Sequence, residues 1–375
     1  MGSIAPLDQE VYVMATRVKA PRTLVIAEAG VNHNGSLAMA LKLVDAAAAA
    51  GADVVKFQTF KAEKLASASA QKAQYQVETT GSRESQLEML KRFELPPAHH
   101  RKLIARCKKR RIEFLSTPFD AESLAFLTGE LGLARIKLPS GEVTNPLLLL
   151  PAARARRPLI LSTGMANLKE IELALCALAY GFMGSKRKPS VRAFKKAYAD
   201  RRGQASLKKY VTLLHCTTAY PAPIEDVNLR AMDTMAARFG LPVGYSDHTL
   251  GTAVAVAAVA RGATVIEKHL TLDRNLPGPD HRASLEPAEF KAMVMAIREA
   301  EHALGDSRKI CRTSEMRNRP IARKSLVAAR DIARGEKFSE DNLTAKRPAD
   351  GRSVFGYWDI LGTRAKRPYK RNDPL

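Results

Sequence analysis

Eight short β-branched or apolar runs recur along this chain, at residues 23–30, 53–59, 112–119, 134–141, 158–164, 211–220, 242–249 and 263–271. Between them lie segments rich in Ala, Leu and Lys and long enough for a helix, among them 37–50, 97–109, 168–180 and 228–239. A strand, a crossover helix and a second strand make a parallel pair, and eight such units in succession predict a (β/α)8 TIM barrel. The eighth helix spans 286–304 and ends at Gly305.

In such a barrel the inward alternation is apolar low in each strand and chemical at the C-terminal end, where the loops build a site. The ends here read Glu28; Lys56 and Gln58; Ser116 and Thr117; Lys137, Ser140 and Glu142; Ser162 and Thr163; His215, Thr217 and Thr218; Ser246, Asp247 and His248; Glu267, Lys268 and His269. Charged groups inside apolar runs are costly to bury unless paired or used, so their placement at one end of every strand predicts an enzyme's mouth. The Ala/Val-rich segment between the last two strands makes them parallel neighbours. His248 and His269 then share one edge, where a metal ion can be held, with Ser246 and Glu267 two residues earlier on the same side. A single strand-end histidine is more often a hydrogen-bonded structural residue, and His215 is read that way.

Residues 1–22 read as an N-terminal extension, 23–305 as the barrel, 306–320 as a polar linker, and 321–375 as a small second domain with short strand and turn signals. That tail is too small for much core of its own. The hydrophobic share of 46% is ordinary for a soluble protein. The longest apolar stretch, at 253–260, falls far short of the ~20 residues that span a bilayer, and the first ten residues lack a signal-peptide pattern. Four scattered cysteines form no CxxC or regular framework, so a reducing cytoplasm is expected.

The formal charge is +22. Much of it lies in the RCKKRR run at 106–111, in 186–209 and in the tail at 364–371. These runs carry little aromatic interleaving and no zinc-finger, KH or RRM signature, so nucleic acid is not expected as a partner. A positive field also concentrates a multiply charged anionic substrate.

Taken in order, the words AEAGVNHNG at 27–35, VKFQT at 55–59, STPFD at 116–120, KLPSGE at 137–142, LSTGM at 161–165, HCTTAYP at 215–221, YSDHT at 245–249, EKH at 267–269 and GPD at 278–280 resemble the N-acetylneuraminate (sialic acid) synthase family, which includes legionaminic and pseudaminic acid synthases. The segment RKSLVAARDI at 323–332 is similar to that family's β-rich antifreeze-like (SAF) domain. The resemblance implies condensation of phosphoenolpyruvate with an N-acylated aldose to give a nonulosonic acid and phosphate. The aldose would be N-acetylmannosamine or, as the alternative, the 2,4-diacetamido-2,4,6-trideoxymannose used for legionaminic acid. It implies a divalent cation, Mn2+ before Mg2+ or Co2+, on His248 and His269. Lys56, Lys137, Ser140 and Ser246 match phosphoenolpyruvate contacts, with Thr117 and Thr218 beside them. Glu28, Gln58, Tyr220 and Asp280 match positions around the sugar and metal, and Glu142 matches a carboxylate near the reacting carbons. Thr218 stands where some members have asparagine and offers only a hydroxyl. Arg323 is the expected sugar contact, with Lys324 where a second arginine is frequent. The small domain is expected to lie over the partner's barrel in a swapped homodimer, and residues 306–319, if extended, could reach ~45 Å at ~3.5 Å per residue. A pyruvate aldolase using Lys56 or Lys137 as a Schiff base is the rival enzyme class.

Overall fold

The computed structural model describes residues 22–81, 83–185 and 188–375; the expected extension at 1–22 therefore lies outside the described residues except for Arg22. The described chain forms two compact units, dividing between Gly305 and Asp306.

Eight parallel strands make the first unit: β1 (Leu24–Gly30), β2 (Val54–Thr59), β3 (Glu113–Pro118), β4 (Ile136–Leu138), β5 (Leu159–Ser162), β6 (Val211–Cys216), β7 (Val243–Asp247) and β8 (Val265–His269). Their hydrogen-bonded order is β3-β2-β1-β8-β7-β6-β5-β4. The first and last of that order, β3 and β4, lie side by side and bring the sheet round on itself, although no ladder links them among the described residues. Every predicted strand is present within its expected limits. Helices expected at the strand connections are also present, including Leu37–Ala49, Pro97–Arg110, Leu168–Phe182 and Pro287–Leu304.

Period-two alternation divides the strand residues into two layers. One set, including Val25, Ala27, Val55, Phe57, Leu161 and Ile266, packs against the helices. The other set forms the floor of the barrel: Ile26, Val54, Leu115, Ile160, Leu214 and Val265 cluster together. Gly244 completes this floor, because a Cβ there would lie 2.4 Å from the Val265 carbonyl and 2.8 Å from Leu214 Cδ2. The basic run at 188–209 forms two further helices, Val191–Ala199 and Arg201–Tyr210, which bury Phe194, Ala197 and Leu207 and expose most of their charge. Among the described residues no helix is long and apolar enough to cross a membrane.

The second unit contains three short α-helices, Thr313–Met316, Arg319–Ala322 and Tyr357–Ile360, and an antiparallel pair, β9 (Ser325–Ala328) and β10 (Leu343–Lys346). Leu326, Ala328, Ile332, Phe338, Leu343, Ile360 and Ala365 form its small core.

Candidate active site

Above the apolar floor the next inward position of each strand is polar. Ile26 is followed by Glu28, Val54 by Lys56, Leu115 by Thr117, Ile160 by Ser162, Leu214 by Cys216 and Val265 by Glu267. Parallel register sets Glu28 opposite Lys56 on one side and His269 on the other, and Ser246 opposite Glu267. Together they line a cavity of about 310 Å³ at the C-terminal end of the barrel.

Twelve of the residues to which the family resemblance gives a role line this cavity: Glu28, Lys56, Gln58, Thr117, Lys137, Ser140, Thr218, Tyr220, Ser246, His248, His269 and Asp280. Glu142 does not; it lies one residue past the lining Gly141, and its carboxylate accepts from Asn145 Nδ2 at 2.6 Å. Burial raises the pKa of that carboxyl. Arg323 belongs to the second unit, where it is exposed. His215 is held by the Val227 carbonyl at 2.8 Å and is not part of the wall, as its structural reading requires.

The charged pole is a buried network. Lys56 Nζ lies 2.8 Å from Glu28 Oε2, donates to Thr117 Oγ1 at 3.0 Å and lies 3.7 Å from Glu267 Oε1. Lys137 Nζ reaches the same Glu267 oxygen at 3.3 Å, and Ser246 Oγ donates to it at 3.1 Å. Burial drives the Glu28 carboxyl up, against the pull of Lys56. It works to raise Glu267 as well, but there Lys137 and then Lys56 prevail and hold it well down. Burial lowers Lys137, with the like charge of Lys56 adding to it, while Glu267 opposes the shift. The network therefore holds two cations ready for an anion, each tethered to a carboxylate.

The histidine pole adjoins it. His248 Nδ1 lies 2.6 Å from the Thr217 carbonyl. A carbonyl only accepts, so Nδ1 carries the proton and Nε2 presents a lone pair. Ser246 Oγ lies 3.4 Å from that nitrogen, but its one hydrogen is directed to the carboxylate of Glu267. His269 Nδ1 is buried without a hydrogen bond, 3.9 Å from Asp280 Oδ2. Burial lowers the His248 pKa to about 4 and holds that of His269 well below its usual value, so both rings are neutral at neutral pH. Burial raises Asp280 to about 6, opposed by Lys56. The two rings stand 5.6 Å apart, and the Tyr220 ring lies 4.2 Å from that of His248, tilted by 32°. Behind them a wholly buried ion pair, Lys268 Nζ to Asp247 Oδ2 at 2.8 Å, joins β7 to β8, and Lys268 also donates to the Thr249 carbonyl at 2.5 Å. Among the described residues no group of three or more His, Cys, Asp or Glu side chains is gathered as a metal cluster.

Four buried polar atoms of lining residues lack a hydrogen bond: Glu28 Oε2, which keeps its ion pair with Lys56, and Glu267 Oε2, His269 Nδ1 and Ser162 Oγ. Buried polar groups are normally satisfied, so their concentration in one cavity marks a place for a ligand. Several lining residues come from a part of the chain that carried no motif. Tyr75, Gln76, Gln86, Met89, Leu90 and Phe93 belong to the connection between β2 and the helix Pro97–Arg110. Its length was the available signal, since βα connections usually take 2–6 residues and this one leaves the catalytic end of a strand.

The NeuB family profile matches residues 43–309, and the SAF domain profile matches residues 323–375. The chain is 51% identical to the N,N'-diacetyllegionaminic acid synthase of Campylobacter jejuni, over 94% of this chain and 98% of that one. It is 45% identical to the enzyme of the same name from Legionella pneumophila, over 91% and 89%. The crystal structure of the N-acetylneuraminic acid (sialic acid) synthetase of Leptospira borgpetersenii, in complex with citrate, superposes with a TM-score of 0.63 at 33% identity, covering 79% of this chain and 90% of that one. Eight parallel strands with a polar mouth, a family profile across most of them and relatives aligned over nearly their full length agree: the chain belongs to the NeuB family of nonulosonic acid synthases and carries a C-terminal SAF domain.

Proposed function

We propose that the barrel mouth condenses phosphoenolpyruvate with N-acetylmannosamine or a related N-acylated aldose and water, giving a nonulosonic acid and inorganic phosphate. This makes the protein a phosphoenolpyruvate-dependent, carbon–carbon bond-forming transferase. The observation that carries the reading is the single buried cavity joining two lysines to two neutral imidazoles. Phosphoenolpyruvate bears a carboxylate and a phosphate. Lys56 and Lys137 supply ammonium groups to them, and Thr117, Ser140, Thr218 and Ser246 supply hydroxyls. As the anion draws Lys56 away from Glu28, the carboxyl of Glu28, already raised by burial, takes up a proton rather than remaining an unpaired charge.

Carbon 3 of phosphoenolpyruvate attacks the aldehyde carbon, water adds at carbon 2 with loss of a proton, and the tetrahedral carbon expels phosphate. His248 and His269, with Asp280 beside the latter, fit a divalent cation, Mn2+ first and Mg2+ or Co2+ as alternatives, because His248 Nε2 presents a lone pair and the unpartnered His269 Nδ1 lies 3.9 Å from the Asp280 carboxylate. Bound there, such an ion would supply Lewis-acid polarisation of the aldehyde oxygen. Tyr220 fixes the plane of the His248 ring, and the Thr217 carbonyl fixes its tautomer. Glu28 and Gln58, 3.4 Å apart, serve the sugar. Glu142 is the candidate acid or base, once released from Asn145. Arg323 is assigned to the sugar across a swapped homodimer, and four free cysteines fit a cytoplasmic protein.

The names borne by the relatives at 51% and 45% identity favour 2,4-diacetamido-2,4,6-trideoxymannose as the aldose. The test is phosphate release from phosphoenolpyruvate across a panel of N-acylated aldoses, with product mass equal to both substrates plus water minus phosphoric acid. Release that depends on an aldose supports the reading. Release without one, or a borohydride-trapped pyruvate adduct, rejects it.

A further inference from the structure

The cavity has two unlike halves. Beside the lysines and histidines, part of its wall is apolar: Val31, Leu65, Met89, Leu90, Phe93 and Phe119 all line it. These residues do not belong to the barrel core. They form a separate cluster in which Val31, Met89 and Phe93 are buried with Phe60, and the other three pack against them. Phe60 and Phe119 meet edge to face at 6.0 Å.

The wall is built rather than loosely draped. Lys72 Nζ, almost fully buried, donates to Thr80 Oγ1 at 2.9 Å, to the Gly81 carbonyl at 2.7 Å and to Glu84 Oε1 at 3.1 Å, tying the segment into a knot. The short helix Gln86–Lys91, which carries Met89 and Leu90, is capped by Ser85 with Glu88 in a reciprocal box. Beyond it, Gly35 approaches the Arg92 carbonyl so closely that a Cβ would stand 2.5 Å away. At the border with the polar half, Tyr75 lies 4.9 Å from Tyr220, and the amides of Gln76 and Gln86 line the cavity.

Resting on the proposed reaction, we infer that this wall selects the aldose: it receives the acyl and deoxy methyl groups of a di-N-acylated, 6-deoxygenated sugar in preference to a mono-N-acylated, fully hydroxylated one. The lysines and histidines hold the reacting ends of both substrates, which leaves the apolar part of the lining to the distal carbons of the sugar. Hydroxyls placed against Met89, Leu90 and Phe93 would lose water without gaining a partner. Acetamido groups instead present a methyl to the apolar wall and an amide to Gln76 or Gln86, which both donate and accept. Differences of a single methylene in such pockets are worth roughly 10- to 200-fold in kcat/KM.

The experiment compares kcat/KM for 2,4-diacetamido-2,4,6-trideoxymannose and for N-acetylmannosamine in the full chain and in two variants. Leu90→Ser strips a half-buried part of the wall, and Met89→Leu keeps its volume. The wild-type ratio should favour the diacetamido sugar by at least roughly 10-fold. Leu90→Ser should lower that ratio by a similar factor, with KM for phosphoenolpyruvate and the melting temperature nearly unchanged, and Met89→Leu should preserve it. If Leu90→Ser fails to fold, Leu90→Thr is measured in its place. Turnover of both sugars with a ratio near one, or a ratio unmoved by the polar variant, overturns the wall's role while leaving the condensation intact. Absence of aldose-dependent phosphate release with either sugar overturns both.

Discussion

Lys137 touches one carboxylate in this structure, and that makes its removal the most readable perturbation of the anion site. Its ammonium lies 3.3 Å from Glu267 Oε1 and makes no ion pair with Glu28, whereas Lys56 pairs with both acids. If Lys137 contacts phosphoenolpyruvate as proposed, Lys137→Met removes that contact. A charge-assisted hydrogen bond contributes about 1.5–3 kcal/mol, and at about 1.4 kcal/mol per decade this raises KM for phosphoenolpyruvate roughly 10- to 100-fold. A second consequence is structural. Deleting one partner of a buried pair typically costs about 3–5 kcal/mol, but Glu267 keeps Ser246 at 3.1 Å and Lys56 at 3.7 Å, so the loss should fall at about 3 kcal/mol or below. The double variant Lys137→Met/Glu267→Gln separates the two effects. It removes the uncompensated carboxylate, so stability to urea should recover, while KM for phosphoenolpyruvate stays high. Steady-state phosphate release at saturating aldose reads the first quantity and urea unfolding the second. An unchanged KM in Lys137→Met, or a KM restored by Glu267→Gln, would refute the assignment of Lys137 to the anion.

Exhaustive chelation should abolish turnover and Mn2+ should restore it; His248→Ala and His269→Ala should fold yet fail to bind Mn2+ in an equilibrium titration, whereas His215→Ala should alter stability rather than metal binding. Gly244→Ala should cost about 1–3 kcal/mol in urea unfolding, because its methyl would overlap Val265 and Leu214 in a floor without slack; an unchanged midpoint would show that the strands can yield. Mixing Arg323→Ala subunits with His248→Ala subunits should restore activity in hybrid dimers if the SAF domain serves the partner's barrel. No recovery despite proven subunit exchange would assign Arg323 to its own barrel or to none.

The barrel and most of its mouth were legible because both rest on strand periodicity. Alternation alone places Glu28, Lys56, Thr117 and Glu267 directly above the floor residues two positions earlier. Strand ends were less so. The sixth strand was expected to run to residue 220, but its ladder stops at Cys216. Beyond that point the Thr217 carbonyl goes to His248 and its hydroxyl to the Asp226 carbonyl, so the chain leaves the sheet. The fourth strand ends at Leu138 because Pro139 has no N–H to continue the ladder. Glu142 was expected at the cavity and instead turns to Asn145, a local contact that strand patterning does not encode. The apolar wall escaped the sequence reading altogether. Its helices are only a few residues long and have no sustained period, and what orders them is the Lys72 knot and contact with Val31 and Phe119 far along the chain.

The central claim is that water attacks carbon 2 and phosphate departs with its bridging oxygen. Running the reaction in H2-18O and weighing the released phosphate by mass spectrometry tests it directly. The account predicts phosphate that carries no oxygen from the solvent and that forms only when an N-acylated aldose is present. Phosphate bearing one solvent 18O would place the attack at phosphorus and contradict it.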